Sequence, residues 1–122
     1  MAAVSIAFEA PDNSGGAVPV SSKPIDFVHL ARQTMGDKEL EIEILQLFTR
    51  NARTLLHELS TVNDIQMKAV AHRLKGSADA VGAFNVSAAA EAVENGSRDS
   101  AALAKVATSV IEAENFILKL CR

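Results

Sequence analysis

Apolar residues recur at steps of three and four through nearly all of residues 25–120, and that period most constrains what this chain can fold into. The last stretch is the clearest: Leu103, Val106, Val110, Ala113, Ile117 and Leu120 form a seam. Such a seam belongs to a helix buried along one side against its neighbours. Ahead of it come Val86, Ala89, Ala90 and Val93, and before those Met67, Val70, Ala71, Leu74, Ala78 and Val81. A longer run reads Leu40, Ile44, Leu47, Phe48, Asn51, Leu55 and Leu59, and a short one Phe27, Leu30 and Ala31. No period-two alternation of a strand interrupts the series.

Capping residues divide this pattern into five helices. The first spans Ile25 to about Thr34, opened by Pro24, whose fixed φ suits a first helical turn, and ended by Gly36. Asp37 caps the second, which runs to about Ser60, and Asn63 or Asp64 caps the third, which Gly82 closes. Asn85 caps a fourth, ended by Asn95-Gly96, and Asp99 caps the fifth. The connections are short, so consecutive long helices pack antiparallel. The expected fold is therefore all-α: an antiparallel up-down four-helix bundle with a short N-terminal capping helix, built from residues 24–122. Residues 1–23 carry Pro11, Pro19 and Gly15-Gly16 and neither period, so a flexible N-terminal tail is expected there.

With 122 residues the chain suffices for one domain and one modest core. Its net charge is −3, and its lysines and arginines are not gathered into a stripe that would neutralise phosphates, so nucleic acid is not an expected partner. The single cysteine, Cys121, excludes an internal disulfide and a multi-cysteine metal site. No charged leader precedes an apolar segment, and no apolar run nears the ~20 residues that cross a bilayer. A cytoplasmic protein with no membrane partner is expected. The Asn-x-Ser triplets at Asn85 and Asn95 are then chance matches.

One histidine stands apart. On the third helix His72 lies about 160° from Leu74, the middle of the apolar stripe, at 100° per residue. Lys68, Lys75, Gly76 and Asp79 share its side, so one narrow face gathers two ammonium groups, an imidazole, bare backbone and a carboxylate. A neutral imidazole offers a nucleophilic lone pair. A lysine one turn away can neutralise phosphoryl oxygens. Phosphoryl transfer needs positioning and electrostatics more than covalent help, so a sparse site suffices. Glycine inside a helix costs roughly 0.5–1 kcal/mol relative to alanine, which points to close approach of a partner over Gly76. By contrast, His29 and His57 read as structural or surface residues. Ser77 reads as a small residue allowing tight packing, and Lys75 with Asp79 alone would be an ordinary i, i+4 pair. No second His or Cys joins His72, and no carboxylate except Asp79, which speaks against a metal site.

The run His72-Arg73-Leu74-Lys75-Gly76-Ser77-Ala78-Asp79-Ala80-Val81-Gly82-Ala83 closely resembles the signature of histidine-containing phosphotransfer (HPt) domains of bacterial two-component phosphorelays. The resemblance extends through helix order and length over residues 24–122. It implies that His72 is the phosphoryl acceptor, generally through Nε2, that Lys75 assists the phosphoryl group and that Gly76 leaves room for a receiver domain. Lys68 and Asp79 are expected to join Gly76 in docking. The partners implied are the receiver domains of a hybrid histidine kinase and of a response regulator, met by a monomer. The chain carries no nucleotide-binding loop, so it is expected to be a phosphoryl carrier without ATP-dependent kinase activity. No cofactor is expected, Mg²⁺ belonging to the receiver's acidic pocket. Two other classes fit less well. A non-catalytic helical adaptor for receiver domains or a partner helix has no need of a nucleophile here, and a histidine-based hydrolase needs a concave pocket and an orienting carboxylate.

Overall fold

The computed structural model of the chain describes residues 23–121, and within them the expected stripes become five helices. They are α1 (Phe27–Thr34), α2 (Lys38–Leu59), α3 (Asp64–Val81), α4 (Phe84–Glu94) and α5 (Ser100–Leu120), with no strand among the described residues. Apart from Lys23, the tail expected over residues 1–23 lies outside the described residues. No described helix is long and apolar enough to cross a membrane.

Four helices begin on a side chain that accepts from a first-turn amide. Asp26 takes Val28 and His29, Asp37 takes Leu40, Asn63 takes Gln66 and Asp99 takes Ala102. Each cap satisfies a backbone donor that helix geometry leaves orphaned, a contribution of ~1 kcal/mol.

Two boundaries depart from expectation. Helix α1 starts after Asp26 rather than at Ile25, because the carboxylate at Asp26, and not Pro24, sets its first turn. Ile25 is left just outside the helix, fully buried in the core together with Leu30, the positions of a hydrophobic staple. Its other end turns on Met35 at φ 55, one residue before Gly36. Helix α4 starts at Phe84 with no side-chain cap, so Asn85 is not the cap. The reason is the tightness of the preceding turn. Gly82 adopts φ 80, and the amide of Ala83 already bonds back to Ala78 O at 2.8 Å. The carbonyl of Gly82 accepts from the Asp26 amide at 2.9 Å, and a Cβ there would lie 2.8 Å from Asp26 O. Only glycine fits both the left-handed backbone and that contact.

Helix α2 packs against α3 and α5, and α4 packs against the same two, while the backbones of neither diagonal pair come within 8 Å, Cα to Cα. The four long helices thus close a ring, an up-down bundle, and α1 lies against α2 and α3 as the capping helix. Every residue of the stripe expected on α3 is buried. On α2 the buried row is Glu41, Leu45, Phe48, Ala52, Leu55 and Leu59, while Leu40, Leu47 and Asn51 are exposed and Ile44 is half-buried. Two apolar rows interleave along α2, and the buried one was disguised by a glutamate and an alanine. Burial of Glu41 is tolerable because its carboxylate accepts from the Thr34 hydroxyl at 3.2 Å and lies 3.7 Å from Lys38 Nζ. The α5 seam is buried from Val106 to Ile117, with Leu103 half-buried and Leu120 exposed. Cys121 is a half-buried thiol packed on the core.

Candidate functional site

With its stripe buried, α3 turns its other side to solvent, and the His72 side chain is 69% exposed there. Its Nδ1 lies 2.7 Å from Oε2 of Glu94, the last residue of α4. A carboxylate only accepts, so in the neutral ring this bond puts the proton on Nδ1 and the lone pair on Nε2. The Glu94 side chain is 17% exposed, and no donor among the described residues reaches its buried Oε1. His72 is thus the group this carboxylate serves.

Asp79 is therefore not the carboxylate that accompanies His72, and Lys75 does not pair with Asp79. Lys75 Nζ lies 3.5 Å from Glu91 Oε2, with the two side chains 30% and 52% exposed. A pair so long and so wet holds the ammonium loosely. Asp79 is half-buried, and its side chain makes no hydrogen bond or ion pair among the described residues. Both glutamates were missed in the sequence because their stripe on α4 was read only for its apolar members. The signal was present in the antiparallel hairpin about Gly82-Ala83: three residues on along α3 correspond to three residues back along α4, so His72–Glu94 and Lys75–Glu91 occupy successive rungs.

Lys68 is exposed, without a bonded partner among the described residues, and walls a shallow depression with Ile65, Ala69, His72, Arg73 and Glu94. Arg73 reaches the other way to Glu58 at 3.2 Å, tying α3 to α2. Gly76 is exposed, and a Cβ placed on it would meet nothing within 4 Å. The packing of this molecule therefore does not require a glycine at position 76. Its neighbour Ser77 accepts from Asn51 Nδ2 at 3.1 Å and borders a groove whose apolar wall includes Ile44, Leu47 and Ala80. A larger groove, about 640 Å³, lies between α2 and α5, and none of its lining residues belongs to α3.

The other histidines lack this setting. His29 is half-buried with its ring 5.2 Å from Phe84, edge-on, and His57 is exposed in the last turn of α2.

The site is thus an exposed imidazole, held through one nitrogen at the edge of a shallow depression on the outer side of the helical bundle. The family model described as Hpt domain matches residues 43–115, from α2 into α5, and the chain belongs to the Hpt domain family, whose work is histidine phosphotransfer in phosphorelays. A solved structure described as that of a histidine-containing phosphotransfer protein from rice is 26% identical. The match covers 81% of this chain and 80% of that one, with a TM-score of 0.68. Among curated proteins nothing matches.

Proposed function

We propose that this chain is a phosphorelay intermediate in which Nε2 of His72 accepts a phosphoryl group from the aspartyl phosphate of a hybrid kinase's receiver domain and delivers it to the aspartate of a response regulator. The observation that carries this reading is the bond from Nδ1 to Glu94, which leaves the lone pair on Nε2 of an exposed ring. Lys75, one turn along α3 and loosely held, is the cation for the phosphoryl oxygens. Gly76 admits the receiver, with Lys68 and Asp79 at the edges of the contact. Mg²⁺ is held by the receiver's carboxylates, and the carrier works as a monomer in the cytoplasm. It takes phosphoryl from a phosphorylated partner and makes none from ATP.

The test uses the full chain and a receiver domain charged with acetyl phosphate. An acid-labile, base-stable label is expected on the wild type and none on His72→Gln, whose fold should be unchanged because the ring is outside the core. Label persisting on His72→Gln would remove His72 from the role. A receiver that binds without transferring would favour an adaptor instead.

A further inference from the structure

We propose that the groove between α2 and α5 is the seat of the chain's own residues 1–10, which bind it in cis and cover an apolar surface on the side of the bundle away from His72. The body's half of this contact is open and apolar. Leu56 of α2 and Leu103, Ala107 and Ile111 of α5 form its wall, and Ile111 is exposed. One heptad on, Leu118 is exposed on the same face of α5, so the apolar track runs from the groove toward the end of the bundle where α1 lies. An open apolar groove rimmed by polar groups has the form of a binding site. Nothing of α3 or α4 lines it, whereas His72 and its partner Glu94 stand on those two helices. The seat and the imidazole thus occupy opposite seams of the ring.

The segment ahead of α1 supplies an occupant of fitting composition at a fitting distance. Eight of residues 1–10 are apolar, Val4, Ile6 and Phe8 among them, and Glu9 is their one charged side chain. Residues 11–22, with Pro11, Pro19 and Gly15-Gly16, form a connector from that cluster to Lys23. Lys23 lies four residues before Phe27, whose ring packs 5.7 Å from that of Phe116 on α5. From Phe116 to Leu103, at the far end of the groove, is about 20 Å along the helix. A flexible chain of the connector's length averages ~17–21 Å end to end and reaches ~40 Å when extended. Residues 1–10 can therefore lie anywhere along the groove without strain on the connector. Tethering over such a span gives a millimolar effective concentration, enough to fill a seat too weak for a separate partner. The charges agree. Arg53 and Glu114 bond each other across the end nearer α1. The His57 ring, without a bonded partner among the described residues, is left as the groove's donor for Glu9.

The full chain is compared with Phe8→Ser and with Ala104→Glu, an exposed groove position where a longer acidic side chain fills the seat and repels Glu9. Neither change touches the described core. Nuclear Overhauser contacts are expected between the Phe8 ring and the methyl groups of Leu56 and Ile111 in the wild type, and none in Ala104→Glu. Phe8→Ser should shift those methyl signals and leave that of Ile65, beside His72, in place. Amides of residues 4–8 should exchange about tenfold more slowly in the wild type than in Ala104→Glu, the docked-to-free ratio that a ~1 mM effective concentration gives a contact of ~0.1 mM affinity. Transfer from a charged receiver should run at the wild-type rate in Phe8→Ser, because the seat is remote from His72. Absent contacts, or equal exchange in the wild type and Ala104→Glu, would overturn the proposal. So would contacts between a labelled and an unlabelled chain mixed together, which would give the groove to a second copy. Slowed transfer in Phe8→Ser would overturn it too, by placing the segment on the receiver's face.

Discussion

Replacing Gly76 should make the protein more stable and a worse carrier. Alanine in a helix interior is favoured over glycine by roughly 0.5–1 kcal/mol, because glycine loses more backbone freedom on folding. Nothing offsets that gain here, since a Cβ at this position meets no atom within 4 Å. At roughly 4–8 °C per kcal/mol for a domain of this size, Gly76→Ala should raise Tm by about 2–8 °C. Glutamine, also a good helix former, should stabilise by a similar amount. Their effects on transfer should diverge. The methyl group adds little to the surface one turn from His72, whereas the glutamine chain projects over it, and a receiver must bring its aspartate to bonding distance of Nε2. Blocking that approach by about 1.4 kcal/mol or more slows transfer at least about tenfold. Thermal melts paired with transfer rates from a charged receiver test both halves. A Gly76→Gln variant that transfers at the wild-type rate would refute the close-approach argument, and a Gly76→Ala variant with a lowered Tm would refute the stability argument.

Lys75→Ala should slow transfer about tenfold at low salt, the ~1.4 kcal/mol that one charge contributes against a dianion about 6 Å away in a watery dielectric, with Tm unchanged. The difference should shrink as salt is added, and salt-independent, wild-type kinetics would show that the ammonium is a bystander. Gly82→Ala should do the opposite of Gly76→Ala and lower Tm, at a cost of about 1–3 kcal/mol, because it combines a left-handed backbone with a Cβ 2.8 Å from Asp26 O. Every residue of the described core lies at or beyond Ile25, so light scattering of the full chain and of a variant lacking residues 1–22 should give monomers, each unfolding cooperatively. A dimer at every concentration, or loss of cooperativity on truncation, would contradict this.

What the sequence disclosed was decided by how unambiguous each local signal is. The α3 stripe was legible to the residue because no second apolar row competes on that helix, and its far side then had to carry His72. On α2 the same period misled. Leu40, Ile44 and Leu47 form a row as regular as the buried one, and only packing against α1, α3 and α5 reveals that Glu41 and Ala52 belong inside. Two members of the row left outside, Ile44 and Leu47, instead line a groove with Ser77 and Ala80 of α3. Caps were readable at Asp37 and Asp99, missed at Asp26, where the nearby Pro24 gave a competing start signal, and unreadable at α4, where the backbone turn at Gly82 begins the helix unaided. Glu94 stayed hidden for a different reason. Its partner is 22 residues away, and no periodicity within one helix reports on the neighbour it faces.

In the proposed relay the acceptor, His72, stands on one outer face, so a receiver that covers it excludes every other. Donor and acceptor cannot be bridged in one assembly, and the carrier must let go of the first, cargo aboard, before it meets the second. Its kinetics are those of a ferry. Crossing time is set by diffusion and by departure from each landing, and the N–P bond travels open to water on a ring that is 69% exposed. The hydrolytic half-life of the loaded form therefore limits how long a crossing can last. Abundance then acts in two directions at once: more copies hold a larger store of phosphoryl groups, yet empty copies occupy the same landings and turn loaded ones away.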